Sequence, residues 1–222
     1  MRDRRHIISA DQRPATESDY RGIGNFTFYI RLAMPVALLF AAVYFPVNWL
    51  TSLRTGNYRL YLDRELAIPF VPEMIYVYAS LLLLLLLPAL TLTRVQLTAL
   101  ARALVATLIV AAAIFLLFPA DPGFDRPAHV PGHDAVYRVL YAFELPHNLV
   151  PSLHIASSAL FILAIRGSLH SSWSRTGLAL WGILLCISVL LTHQHHILDV
   201  ISGLLLGYLG WRLVYLRLIP EH

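Results

Sequence analysis

The stretch LLTHQHHILDVISGL, Leu190–Leu204, places His193, His195, His196 and Asp199 in an otherwise apolar run. His195 and Asp199 are four residues apart, a spacing that shares one face if the segment is helical. An aspartate so placed can hold one imidazole nitrogen as a donor and leave the other as a nucleophile or base. Upstream, Pro151-Ser152-Leu153-His154 suits the cap and first turn of a helix. The free N–H groups of such an end cradle a phosphate, and His154, projecting from it, could protonate a leaving oxygen. Two histidines, an aspartate and an anion-binding helix end describe phosphoryl transfer through a phosphohistidine. Metal ligation by His193, His195, His196, Asp199 and His154 is the competing chemistry. Adjacent His195 and His196 would point roughly 100° apart on a helix, and no H-E-x-x-H pattern occurs. The spacing therefore suits a nucleophile and its orienter better, and neither a metal nor a cofactor is expected. His196, His129, His133 and His170 read instead as histidines capping helix ends at the headgroup layer.

The elements that must bring these residues together are membrane helices. Of the 222 residues 58% are hydrophobic and 14% charged, with mean hydropathy +0.64; soluble domains carry roughly 25% charged residues. Several apolar runs approach the ~20 residues that span a bilayer. The expected fold is all-α, a polytopic bundle of six transmembrane helices near 27–48, 70–91, 98–118, 152–167, 177–195 and 198–217. Residues 1–25 are too polar for a signal-peptide core and read as a cytoplasmic tail; residues 26–218 read as one membrane catalytic domain. Gly22–Asn25 (GIGN) is a glycine-loop fragment with no strand before it, which argues against a nucleotide site. The single cysteine, Cys186, lies mid-helix as a packed apolar thiol.

All 17 basic side chains are arginine. With a cytoplasmic N-terminus, Arg54, Arg59, Arg64, Arg126 and Arg138 fall outside and the other twelve inside, as the positive-inside rule expects. The pI of about 9.4 thus encodes topology rather than nucleic-acid binding. This topology brings Pro119, Ser152, His154, His193, His195 and Asp199 to one outer layer, where ionisable side chains are costly unless they do work. The longest outer connection, 119–151, adds Arg126, Arg138, Glu144 and His147, and a long polar loop on a compact membrane protein is usually functional. Between the first two helices, Leu60, Leu62, Leu66 and Ile68 alternate with Arg59, Asp63, Arg64 and Glu65. That pattern suits the outer interface plane, with Asp63 and Glu65 on a solvated face.

In combination these motifs resemble the type 2 phosphatidate phosphatase superfamily over residues 115–210. The family's second motif, P-S-G-H, is met by Pro151-Ser152-Leu153-His154, and its third, S-R-x5-H-x3-D, by Ser188-Val189-x5-His195-x3-Asp199. Of the first, K-x6-R-P, only Arg126-Pro127 is present; Pro119 stands at the lysine position. The resemblance implies His195 as nucleophile, Asp199 as its orienter and His154 as general acid. Arg126, Ser152, Leu153, His193 and Arg138 are then expected to bind substrate.

The departures are informative. Leu153 stands for glycine, Val189 for arginine, and Phe118-Pro119-Ala120 ends the preceding helix, a set similar to the inositol phosphorylceramide synthase branch. A phosphomonoester carries nearly two charges and a diester one, so fewer cations suffice for a diester. Losing one preorganised donor costs about 2.7–4 kcal/mol in the transition state. The pattern therefore favours headgroup transfer from a phospholipid diester; the alternative is a lipid phosphate phosphatase acting on phosphatidate or polyprenyl diphosphate. A membrane transporter or pseudo-enzyme scaffold is the non-enzyme alternative, but inverted repeats and broken midplane helices are not evident. The expected partners are a phospholipid or lipid phosphate and the bilayer, with no nucleic acid. The expected location is a bacterial inner membrane, both termini cytoplasmic and the site facing the periplasm.

Overall fold

A computed structural model describes residues 23–144 and 147–219. In chain order the helices are α1 (Ile23–Ser52), three short pieces α2 (Met74–Ala79), α3 (Leu81–Leu84) and α4 (Leu87–Thr91), then α5 (Arg94–Leu117), α6 (Asp134–Phe143), α7 (Leu153–Arg166), α8 (Ser172–Leu191) and α9 (Ile197–Gly210). A π turn (Trp211–Tyr215) and a 3₁₀ turn carry α9 on to Leu218. Among the described residues there is no strand, only a bridge between Tyr58 and Ala120. The all-helical membrane architecture is as expected. The first 22 residues of the expected tail lie outside the described residues.

Four helices, Gly24–Ser52, Arg94–Leu117, Ser172–Leu191 and Ile197–Leu218, are long and apolar enough to cross a membrane. The expected second and fourth spans are shorter apolar helices, Met74–Leu84 and Leu153–Arg166. Two features shorten them. Pro88 has no N–H to continue the ladder through the leucine run. The 14 residues of α7 reach only about 21 Å at 1.5 Å per residue, short of a hydrocarbon core of about 30 Å. The fifth expected segment is also corrected: α8 stops at Leu191, so His193 and His195 lie in a turn rather than on a helix.

Close packing of α9 on α7 sets the site. On α9, Gly203 and Gly207 face α7; a Cβ at Gly203 would lie 2.7 Å from the Ser152 carbonyl oxygen, and one at Gly207 2.4 Å from that of Ala156. Small residues four apart let two backbones touch in this way. Leu97, Leu100, Leu160, Phe161, Ile165 and Leu185 form the core beneath. Exposed Met34, Leu38, Leu90, Ile109 and Leu205 clothe a surface suited to lipid. The C-terminal ends of α1, α5 and α8 and the N-terminal ends of α7 and α9 share one layer. It is laced by Tyr58 N–H to the Pro119 carbonyl (2.8 Å) and Thr51 Oγ1 to Asn148 (2.8 Å).

Candidate active site

The α8–α9 turn is built from backbone first. His193 is left-handed (φ 55°), the conformation that ends many helices, and the N–H groups of Gln194 and His195 both donate to the Val189 carbonyl (3.0 and 3.1 Å). His196 then caps α9, and Asp199 in the first turn accepts its N–H at 2.8 Å. The same carboxylate oxygen, Oδ2, lies 3.2 Å from His195 Nδ1. His195 and Asp199 thus meet through a helix cap, not through one shared helix face; His195 is 7% exposed and Asp199 1%. With Nδ1–H given to Asp199, Nε2 of His195 carries the lone pair, the arrangement a nucleophile needs. This tautomer follows from the acceptor, since an ionised carboxylate cannot donate.

Facing this turn is the N-terminus of α7. Ser152 caps it, its hydroxyl accepting the Ile155 N–H at 3.3 Å, while its own N–H donates to the Asp199 carbonyl at 3.1 Å. The N-terminus of α7 and Asp199 are therefore joined by one backbone hydrogen bond. His154 stacks on Tyr78 (centroids 3.9 Å), its Nε2 is buried without a hydrogen-bond partner among the described residues, and it lies within electrostatic reach of His195. Leu153 packs with Val47, Leu108 and Phe115.

His193 is held by contacts of its own. Its Nε2 donates to the Ile68 carbonyl (2.9 Å) and its ring stacks on Phe124 (3.8 Å). Burial lowers its pKa, against the pull of that carbonyl. Phe124 also stacks on His196 (4.6 Å), and the loop reaches there because Gly123 has φ +66° and passes so close to the Tyr61 ring that a Cβ would sit 2.5 Å from it. His196 Nε2 donates to the Pro122 carbonyl at 2.8 Å.

Arg126 lies over the Tyr141 ring (4.8 Å) and donates to the Glu144 carbonyl. Burial pulls its guanidinium below the usual value, and the nearby Glu144 opposes this. Arg126 and exposed Arg138 line a groove of about 380 Å³ with Val130, Asp134, Tyr137 and Tyr141. Val189, at the position of the family's arginine, is fully buried among Ile75, Tyr78, Ile155 and Val200.

Two acidic residues lie beside these groups: Glu144, expected only as part of the outer connection and given no role, and Glu65. Glu144 accepts from Tyr78 Oη at 2.6 Å and lies within electrostatic reach of His195. Burial pushes its carboxyl up; the Tyr78 hydrogen bond, His195 and Arg126 pull it back. Glu65, expected on a solvated face, is 5% exposed and accepts the Ile197 N–H at 2.7 Å. Leu62 and Leu66 are exposed along with Asp63 and Arg64, and the short 3₁₀ turn Asp63–Ala67 rotates Glu65 inward while Asp63 stays out with Arg59. No local pattern marks Glu65 or Glu144. The Gly203-x3-Gly207 spacing was a readable signal for the α7–α9 contact.

The family model described as PAP2 superfamily matches residues 99–219, more than half of the chain. The matched region holds both motif histidines and Asp199 and leaves out Glu65 and Tyr78. No curated protein matches the chain.

Proposed function

The chain belongs to the PAP2 superfamily, and from that premise we propose that it is a phospholipid headgroup phosphotransferase of the inositol phosphorylceramide synthase type, acting through a phosphohistidine on His195. Membership supports phosphatase or phosphotransferase chemistry on lipid phosphates in a bilayer; the branch and the residue roles are our reading. The observation that carries it is the His195–Asp199 pair, 3.2 Å apart, fastened to the capped N-terminus of α7 by the Ser152–Asp199 backbone bond.

In the first step Nε2 of His195 attacks the phosphorus of a diester. The bond to the diacylglycerol oxygen breaks, and His154 delivers a proton to that oxygen. Asp199 stabilises the imidazolium side of the phosphoramidate, and the N–H groups of α7 face the phosphoryl oxygens. In the second step the hydroxyl of an acceptor alcohol attacks, the P–N bond breaks, and the proton returns to His154. Water in place of the alcohol gives hydrolysis. Glu144 favours the diester, because a carboxylate near the phosphoryl position repels a dianion more than a monoanion. The second reading, a lipid phosphate phosphatase, draws on the groove where Arg126 and Arg138 lie together and could meet two charges.

Purified protein incubated with candidate donor lipids, with and without diacylglycerol or ceramide, should show headgroup exchange that requires the alcohol, read by lipid mass analysis. Phosphate release from monoesters alone would replace the transferase reading with the phosphatase one. Activity should survive EDTA, since the His195–Asp199 contact suits a nucleophile and its orienter. On the same reading the catalytic domain spans 26–218 and its site faces the periplasm of a bacterial inner membrane, both termini cytoplasmic. Ala128 is exposed in the connection between α5 and α6, and Ser171 is exposed at the start of α8. In a background lacking Cys186, an impermeant thiol reagent on intact cells should label Ala128→Cys and miss Ser171→Cys; the reverse would invert the topology.

A further inference from the structure

We propose that Glu65 is a positioning residue for the nucleophile, clamping the outer segment 53–73 onto the first turn of α9 and so fixing the His195–Asp199 pair. It rests on the reading of His195 as the nucleophile.

Glu65 comes from outside the matched region and reaches across 132 residues of sequence to the catalytic turn. Its two oxygens have different partners. Oε1 accepts the Leu62 N–H at 3.0 Å, which closes the 3₁₀ turn on itself. Oε2 accepts the Ile197 N–H at 2.7 Å and lies 3.4 Å from His196 Nδ1. Ile197 is the first residue of α9, where an N–H has no partner within the helix, and an acidic group there also complements the helix dipole. Asp199 takes the preceding N–H, that of His196, so two carboxylates divide the start of α9 between them. Without Glu65 the Ile197 N–H has no acceptor within the helix and competes for the Asp199 carboxylate, which already serves the adjoining N–H. A carboxylate that turns toward Ile197 turns away from His195 Nδ1.

The rest of the turn is held on its other faces. The His196 ring lies between Tyr61 (4.4 Å) and Phe124 (4.6 Å), with its Nε2 on the Pro122 carbonyl. Those contacts fix the ring of His196; the backbone that carries Asp199 is held by Ser152 at the Asp199 carbonyl and by Glu65 at the Ile197 N–H. A buried carboxylate so placed is a poor choice for packing and a good one for holding two donors at once.

Glutamine separates the two jobs. Both partners of the Glu65 side chain are backbone N–H donors, and an amide has one oxygen to offer them. The local bond to Leu62, three residues away, is one that glutamine makes as readily as glutamate. Glu65→Gln therefore keeps the 3₁₀ turn and sets an NH₂ group against the Ile197 N–H. Glu65→Ala loses both.

The test is single-turnover phosphoenzyme formation on the full chain in detergent micelles with a phospholipid diester donor, alongside hydrogen exchange of the α9 first turn. Glu65→Gln should melt within a few degrees of the parent. It should form phosphoenzyme about 10²-fold more slowly, the cost of a small misplacement of reacting groups, with the KM for donor nearly unchanged. Its Ile197 amide should exchange faster. Glu65→Ala should do the same with a lower melting temperature. Parent-like phosphoenzyme rates in Glu65→Gln would overturn the proposal, as would a raised KM with an unchanged rate, which would make Glu65 a binding group. If the parent forms no phosphoenzyme with any lipid, the phosphohistidine reading fails. The clamp is then judged on exchange alone: faster Ile197 exchange in Glu65→Gln upholds it, and equal exchange overturns it.

Discussion

At the α8–α9 turn, Asp199 Oδ2 meets both His195 and the His196 N–H, and the Asp199 carbonyl meets Ser152. At the Arg126 groove the cations are few: one guanidinium is held by an aromatic face and a carbonyl, the other is exposed. The first region keeps the histidine and aspartate of the motif it resembles but carries Val189 in place of its arginine, and the second keeps Arg126 but carries Pro119 in place of its lysine. On the proposed reading, the buried, mutually bonded pair sets where a P–N bond can form. The anion-binding side sets how much charge the phosphorus may carry. On the same proposed reading, losing cations while keeping the histidine–aspartate pair is a physical route from monoester to diester chemistry, because the pair is indifferent to what else the phosphate bears.

The largest effects are expected in the tightly bonded region. His195→Ala should trap no phosphoenzyme and show no turnover on any lipid. Asp199→Asn should leave the helix cap partly satisfied but favour the wrong imidazole tautomer, costing ~10⁴ in rate by analogy with triad aspartates. The double variant should be no worse than His195→Ala alone, because the two act as a unit. An acid-labile, base-stable phosphoenzyme that persists in His195→Ala but vanishes in His154→Ala would move the nucleophile to α7 and exchange the roles of the two histidines.

His154 stands between the regions, and its loss should depend on the leaving group. With an alkoxide leaving from a lipid, His154→Ala should lose about 10²–10⁴ in rate, the usual contribution of a general acid. With a p-nitrophenyl ester, which needs little protonation, much of the rate should return. Equal losses on both substrates would show that His154 serves the α7 end through its stack on Tyr78 and not as an acid.

How much of this was legible follows the same division. His154, His195 and Asp199 were readable because short motifs encode them and apolar surroundings make each polar residue conspicuous. Their elements were less so. The chain from 177 to 195 is apolar enough to be drawn as one helix, yet it breaks at Thr192, and the left-handed His193 carries no glycine or asparagine signal. The six expected spans rested on apolar length, which cannot see that Pro88 and the turns around it divide the second. Glu65 was misjudged, and Glu144 was named with its loop but given no role, because their surroundings are decided by partners far away in sequence: Ile197 for one, Tyr78 for the other.

The smallest effect tests the sparse side and bears most directly on substrate choice. Burial raises the Glu144 carboxyl above the usual glutamate range, against the lowering pull of Tyr78, His195 and Arg126. Above its pKa it is an anion within electrostatic reach of His195, where the proposed mechanism puts the phosphoryl group; as pH falls through that raised value it takes a proton and the repulsion is lost. A dianionic monoester feels that repulsion about twice as strongly as a monoanionic diester. Glu144→Gln keeps an acceptor for the Tyr78 hydroxyl and removes the charge, so it should raise monoester turnover relative to diester turnover. One unit charge at partly screened range is worth about 1–4 kcal/mol, and tenfold is the expected size. The gain should be full at alkaline pH and shrink as the parent protonates on acidification, until the two proteins share one ratio. Comparing both proteins at each pH cancels the substrate's own titration. A ratio untouched by Glu144→Gln at every pH would mean that Glu144 faces away from the phosphate, and the diester preference would have to come from the missing cations alone.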